Sequence, residues 1–231
     1  MRAILILIKK DFKEIINDKQ GLLVIAGYLL LINGFKFFSQ SMGDPGANVA
    51  SLIATISAAA IIPINNVALD AFGRDRLNKV MDLLLVKVRH TTICWSKLIV
   101  SLIMALLLGF FSYMIQYISV IIFNSSSGIE MFNNFNSHLF ALSLGYFFPA
   151  TVFISGVGII IAIYIRPQAR MYAFLILLLL LFGAIKLMLT YPLDIFSNYN
   201  WLLPCVLWCL AILPISIIKF VVDKETMLRT S

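Results

Sequence analysis

The sequence predicts an all-α polytopic membrane fold: six transmembrane helices, an N-terminal amphipathic helix at the membrane interface, and a cytoplasmic amphipathic helix between the second and third spans. Three observations predict it. The 231-residue chain is 61% hydrophobic and 13% charged, with mean hydropathy +0.97, which leaves too little charge to cover a water-soluble domain. Its apolar runs are continuous and reach the ~20 residues that cross a bilayer as a helix, whereas a transmembrane barrel alternates in segments of about ten. Of the 18 Lys and Arg, 16 fall in alternate connecting segments or the termini.

Residues 2–19 place Ile4, Ile8, Phe12, Ile15 and Ile16 at helical spacing, with Lys9, Lys10, Asp11, Lys13, Glu14 and Asp18 on the other faces. That pattern predicts a helix lying in the interface, with Phe12 in the apolar layer and Lys9, Lys10 and Lys13 reaching anionic lipid headgroups. No small-residue cleavage site follows, so a cleavable signal is not expected. "NDKQG" breaks this helix, and Gly21 opens the first apolar run. The spans are expected at about 21–41, 49–70, 98–123, 138–165, 171–190 and 201–219, all in one domain covering 1–231. "GDPGAN" between the first two is a Gly/Pro turn.

Charge sets the orientation. Of the 18 Lys and Arg, 16 fall in the N-terminal segment, the 71–97 stretch, the "RPQAR" loop after the fourth span, or the C-terminal tail. The alternating loops "NSSSGIEMFNNFNS" and "YPLDIFSNYN" have none. Lys36 and Lys186 lie near outer span ends, where a long side chain snorkels to the interface. The excess of basic residues on one side puts both termini in the cytoplasm of a multi-pass cell-membrane protein. It also accounts for the net charge of +7 and pI near 9.4 without a nucleic-acid partner.

The stretch "FGRDRLNKVMDLLLVKVRHTTICWSK" (72–97) is the most informative. Leu77, Val80, Met81, Leu84 and Val88 share one helix face, and Asp75 and Lys79 form an i, i+4 pair on another, acid first. A cytoplasmic helix with a clean apolar stripe needs something to dock on, lipid or protein. The plain alternative is a solvated basic loop with an incidental helix.

Here the chain resembles the permease subunits of type-2 ABC transporters. Those begin with an interfacial elbow helix, which residues 1–20 resemble, "DFKEIINDKQGLL" matching the junction with span one. After span two they carry a coupling helix reading like E-x-x-x-G-T-x-E-x-L-L, then a Pro-containing turn and a Lys before span three. "KVMDLLL" (79–85) stands at that core: Asp82 at the acidic position, Leu83 and Leu84 at the leucines, and Lys97 at the Lys. Lys79-Val80 replaces the Gly-Thr, and Val88 the turn Pro. The resemblance implies that Asp75, Leu77, Lys79, Val80, Met81, Asp82, Leu84 and Val88 couple the spans to an ATPase. It implies two ATPase copies and a second permease copy or paralogue. A re-entrant segment before span six would be "TYPLDIFSNYN" (190–200). The chain lacks G-x-x-x-x-G-K-[ST], the loop that cradles nucleotide phosphates. ATP and Mg are therefore expected on the partner, with no cofactor held by this chain.

Other chemistry was weighed. His90 and Cys94, four apart, could be the base and nucleophile of an integral-membrane peptidase. "FISGVG" (153–158) has the Ser-Gly of an intramembrane serine protease, but the only histidines are His90 and His138; small residues also let helices approach closely. Cys205 and Cys209 share a helix face without His or carboxylate nearby to complete a metal site, so they read as packing residues. No catalytic or metal-binding residue is expected. Asn65, Asn66, Gln116 and Pro149 are pathway candidates; the amides either line a pathway or bond across helices. The reading is a permease that exports an amphipathic cargo, peptide, lipid-like or drug-like, because the spans hold almost no fixed charge. The alternative is a peptidase or an immunity or sensor protein not coupled to ATP.

Overall fold

The computed structural model describes residues 2–23, 25–27, 29, 30, 33, 75, 80–122, 143–165, 202–222 and 227. The described residues form helices and their junctions, with no strand among them. In chain order the helices are α1 (Arg2–Asn17), α2 (Val80–Lys87), α3 (His90–Ile122), α4 (Phe148–Tyr164, entered through a π-helical turn at Ser143–Phe147) and α5 (Leu202–Phe220). The predicted spans at 49–70 and 171–190, the segment 190–200 and the residues Asn65, Asn66, Leu77 and Lys79 lie outside the described residues.

Local chemistry sets the ends. α1 stops at Asp18, whose Oδ1 accepts the Gly21 N–H at 3.0 Å. Asp18 is thereby the N-cap of a helical segment that begins at Lys19, inside the predicted break "NDKQG" and two residues before Gly21, where the first apolar run is expected to open. α2 carries Asp82 in its first turn and Lys87 in its last, both complementary to the helix dipole. Only Val88 and Arg89 separate it from α3, and the Arg89 carbonyl accepts the Thr92 N–H at 2.9 Å. α3 therefore starts eight residues earlier than the predicted span at 98. At 33 residues it is about 50 Å long, well beyond the ~30 Å hydrocarbon core of a bilayer. Its stretch His90–Ile118 is long and apolar enough to cross a membrane, and Phe148–Tyr164 and Pro204–Phe220 are shorter apolar helices.

α4 and α5 run parallel. Trp208 Nε1 donates to the Leu144 carbonyl at 3.1 Å, and Tyr164 OH donates to the Val221 carbonyl at 3.4 Å. Between these ends Gly156 faces Pro214, and a Cβ on Gly156 would stand 2.7 Å from Pro214 Cβ. The glycine of "SGVG" is thus what lets the two helices approach. Pro214 sits inside α5, where it has no N–H to offer the preceding turn.

The principal core lies at one end of the molecule. It joins Leu7 of α1, Met81 and Leu85 of α2, Ile93 and Leu98 near the start of α3, Ile159 and Ile163 near the end of α4, Ile218 near the end of α5, and Met227. α3 leads away from this end, and α4 and α5 lead back to it. A smaller cluster of Ile15, Val100 and Met104, with Ile8 and Phe12 against it, fastens α1 to α3.

Two expectations about faces are corrected. Ile16 was placed in the apolar stripe of α1, yet it is exposed, and the buried line is Leu7, Asp11 and Ile15. The stripe of α2 does not face outward. Met81 is buried, and Leu84 and Val88 pack on the core with it, because the ends of four other elements supply a nearer apolar surface than any partner would.

Replacing Gly156 by Val should separate α4 from α5, because Pro214 Cβ is fixed to the α5 backbone and cannot yield. The expected loss is about 1–3 kcal/mol, read as a lower midpoint in a detergent unfolding titration, while Gly27→Ala, where a Cβ meets nothing within 4 Å, should be nearly silent.

Candidate functional site

At the core end, four charged side chains from three separate stretches converge. Lys97 lies on the eighth position of α3 and is 2% exposed. Its Nζ donates to Asp11 Oδ1 of α1 at 2.7 Å and stands 2.8 Å from Asp75 Oδ2, an ion pair off the axis of a hydrogen bond. Lys10 of α1 donates to the other Asp75 oxygen at 2.5 Å and lies 3.3 Å from Glu14. One ammonium is thus shared by carboxylates 64 residues apart in sequence. The site exists because α1 turns its Leu7–Asp11–Ile15 line toward α3. Successive turns of α1, Asp11 and then Ile15, meet successive turns of α3, Lys97 and then Val100 and Met104. α1 therefore runs alongside the first turns of α3.

The electrostatics follow from burial. Burial pushes the Asp11 carboxyl above its ordinary range; the Lys97 charge and hydrogen bond and the Lys10 charge oppose this, and Asp75 adds to it. For Lys10, burial acts to lower the ammonium, but the Asp75 hydrogen bond and charge, with Glu14 and Asp11, outweigh it, and the net direction is upward. Asp11 Oδ2 has no hydrogen-bond partner.

This arrangement revises several expected roles. Asp75 is expected to pair with Lys79, which lies outside the described residues; the structure shows its carboxylate buried between Lys10 and Lys97. Lys10 was expected at lipid headgroups and is turned inward, while Lys9 and Lys13 are exposed and Phe12 is partly buried against α3. Asp11, counted with the polar faces, is the residue that sequence reasoning missed. Its signal was there: it stands four residues from both Leu7 and Ile15, at the centre of the buried line.

On α2 the side chains left outside are Asp82, Leu83, Val86 and Lys87. Leu83 is 67% and Val86 77% exposed. The docking ridge expected at Val80, Met81, Leu84 and Val88 is thus the inner face, Val80 being partly buried, and two apolar knobs flanked by an acid and a base form the outer one.

The remaining candidates are placed as follows. Gln116 donates to Asn33 Oδ1 at 3.1 Å, Ser112 donates to the same oxygen at 2.9 Å, and Asn33 donates to its own Leu29 carbonyl at 2.8 Å. This buried triad ties the segment after α1 to α3. Pro149 is buried in the first turn of α4, where its missing N–H is not needed. Cys94 is 1% exposed inside the apolar core, a setting without the positive charge that supports a thiolate. Ser155 is fully buried on α4 and its hydroxyl has no hydrogen-bond partner. Cys205 and Cys209 are exposed on α5, not packed as expected. Among the described residues no group of three His, Cys, Asp or Glu could hold a metal ion.

Lys97→Met should cost about 3–5 kcal/mol, because it strands the buried Asp11 carboxylate and leaves Asp75 only Lys10. Adding Asp11→Asn should return part of that loss, and the exposed Lys13→Met should stay within about 0.5 kcal/mol of the parent. A detergent unfolding series of the four proteins measures this. No family model matches the chain, and neither a curated protein nor a solved structure shows a significant similarity to it.

Proposed function

We propose that the chain is the membrane-embedded permease subunit of an ATP-driven exporter of the type-2 ABC kind, working with a separate ATPase and a second permease copy or paralogue. The observation that carries the reading is α2: a short helix with its inner face packed on the core and its outer face bearing Leu83 and Val86 between Asp82 and Lys87. A two-residue joint links it to α3. Such a helix has the two surfaces a coupling element needs, one to receive a push and one to pass it on. Apolar knobs give contact area, and flanking charges set register.

Membrane spanning is supported by the outer surface. Leu106, Phe110, Ile118 and Ile122 of α3 and Ile212 and Leu213 of α5 are all exposed. Water would not tolerate an apolar surface of that extent, whereas lipid is its natural solvent. A count of six spans is supported by chain direction. Asn33 meets Ser112 and Gln116 about two-thirds along α3, whereas Asp75 lies back at the core end. α3 leaves that end and α4 returns. The chain quits α4 at the core end and starts α5 at the opposite one. Two passages before α3, three by the described helices and one between α4 and α5 make six. The core end is then the basic, cytoplasmic side, with both termini there. An amphipathic cargo suits a pathway whose inner polar groups are amides and hydroxyls such as Asn33, Ser112 and Gln116 rather than fixed charges.

The test is co-purification of the detergent-solubilised chain with its candidate ATPase. Leu83→Asp with Val86→Asp should abolish retention of the ATPase while leaving the unfolding midpoint of the chain nearly unchanged. Val80→Asp with Leu84→Asp should instead lower that midpoint, since those side chains face the core. An ATPase that never co-purifies, or that stays on the Leu83/Val86 variant, would overturn the docking claim and favour a membrane protein not coupled to ATP.

A further inference from the structure

Among the described residues the charge cluster has more acid than base. Facing Asp11 are Lys97 from α3, Asp75 from the stretch before α2, and Lys10 from α1 itself, whose ammonium also meets the half-exposed Glu14. Among these described groups three carboxylates meet two ammoniums. The shortage of positive charge falls on Asp11: Lys97 engages one of its oxygens, while the other is buried with no donor at all. A buried carboxylate oxygen without a donor is the costliest kind of group in such a network. A proton there would remove the surplus charge and leave Lys97 its ion pair with Asp75.

We infer that the Asp11–Lys97–Asp75–Lys10 cluster is a proton-responsive clasp: uptake of one proton by Asp11 tightens the hold of α1 on α3. The reading needs only the packing of these helices and holds whether or not the chain moves cargo. The direction of the Asp11 shift agrees. Because burial raises the folded-state value above that of the unfolded chain, the packed form binds the proton better than the released form. The extra hold is fully present at low pH and is lost as pH rises through the folded-state value. The clasp therefore loosens toward alkaline pH and firms toward acid, the opposite of an ordinary carboxylate salt bridge. Substituting Asn, which keeps an acceptor for Lys97 and carries no charge, should lock the firm state.

The full chain, labelled with 13C-carboxyl aspartate and reconstituted in lipid nanodiscs, provides the test. The Asp11 carboxyl signal should titrate above the ordinary carboxylate value of about 3.9. Amide exchange protection of residues 7–15, corrected for the intrinsic pH dependence of exchange, should rise as the pH falls from about 8 to about 3, by about tenfold for each unit that the folded-state value lies above the ordinary one. Asp11→Asn should be flat and as protected as the acid form. An Asp11 signal at or below the ordinary value, protection that is constant or falls on acidification, or an Asp11→Asn protein that keeps the slope would each overturn the clasp. The titration and protection of the parent chain decide the matter even if the variant does not fold.

Discussion

Lys97 holds the core end together. Its ammonium is the common partner of Asp11 on α1 and Asp75 before α2, and it rides on α3. Three stretches that are far apart in sequence thus share one charge, and the apolar cluster of Leu7, Met81, Leu85, Ile93, Ile163 and Ile218 closes around the same end. A buried ion pair of this kind adds little net stability over a well-packed apolar set, but it is expensive to break, and in some proteins it fixes which elements meet. Here it would fix the register of α1 on α3, which the apolar contacts of Ile15 with Val100 and Met104 would leave freer to slide.

That register has consequences for α2. With Met81 and Leu85 in the core, turning α2 about its own axis would draw both side chains out of it. A force on Leu83 or Val86 would be delivered as a movement of the whole core end: to α3 through the joint at Val88 and Arg89, to α1 through the shared charges, and to α4 and α5 through apolar contact. The Gly156–Pro214 approach holds α4 and α5 as a closely packed pair, so these two would be expected to respond together. Farther along α3, the Asn33–Ser112–Gln116 triad joins the helical segment after α1 to the same helix, giving that segment and α3 a second point of attachment.

Much of the α-helical plan was legible in the sequence for a simple reason: a helix imposes a period that its apolar residues must obey. The predicted last span, 201–219, differs by one residue at each end from α5, and α1 ends two residues before its predicted bound. Boundaries at the basic stretch were less legible. Lys97 looked like a loop charge that ends a span, because a charge in an apolar helix is costly unless a partner is supplied, and the partners come from positions 11 and 75. The cap at Asp18 was hidden for a milder reason: "NDKQG" holds several turn-forming residues, and only the Asp18–Gly21 hydrogen bond decides among them.

By itself the sequence determined the helical class, the amphipathic character of the segment around residues 2–19, and the gathering of most basic charge into four segments. These follow from composition and period alone. Tertiary structure decided which face of each amphipathic helix is buried. For α2 the stripe of Val80, Met81, Leu84 and Val88 and the pair Leu83 and Val86 are both apolar, and periodicity cannot say which will find the core; the ends of α3, α4 and α5 chose the first. For α1 it decided that Asp11, a charged residue, belongs inside. A carboxylate is buried only when a cation is brought to it, and the cation lies 86 residues away, a distance that no local pattern can report.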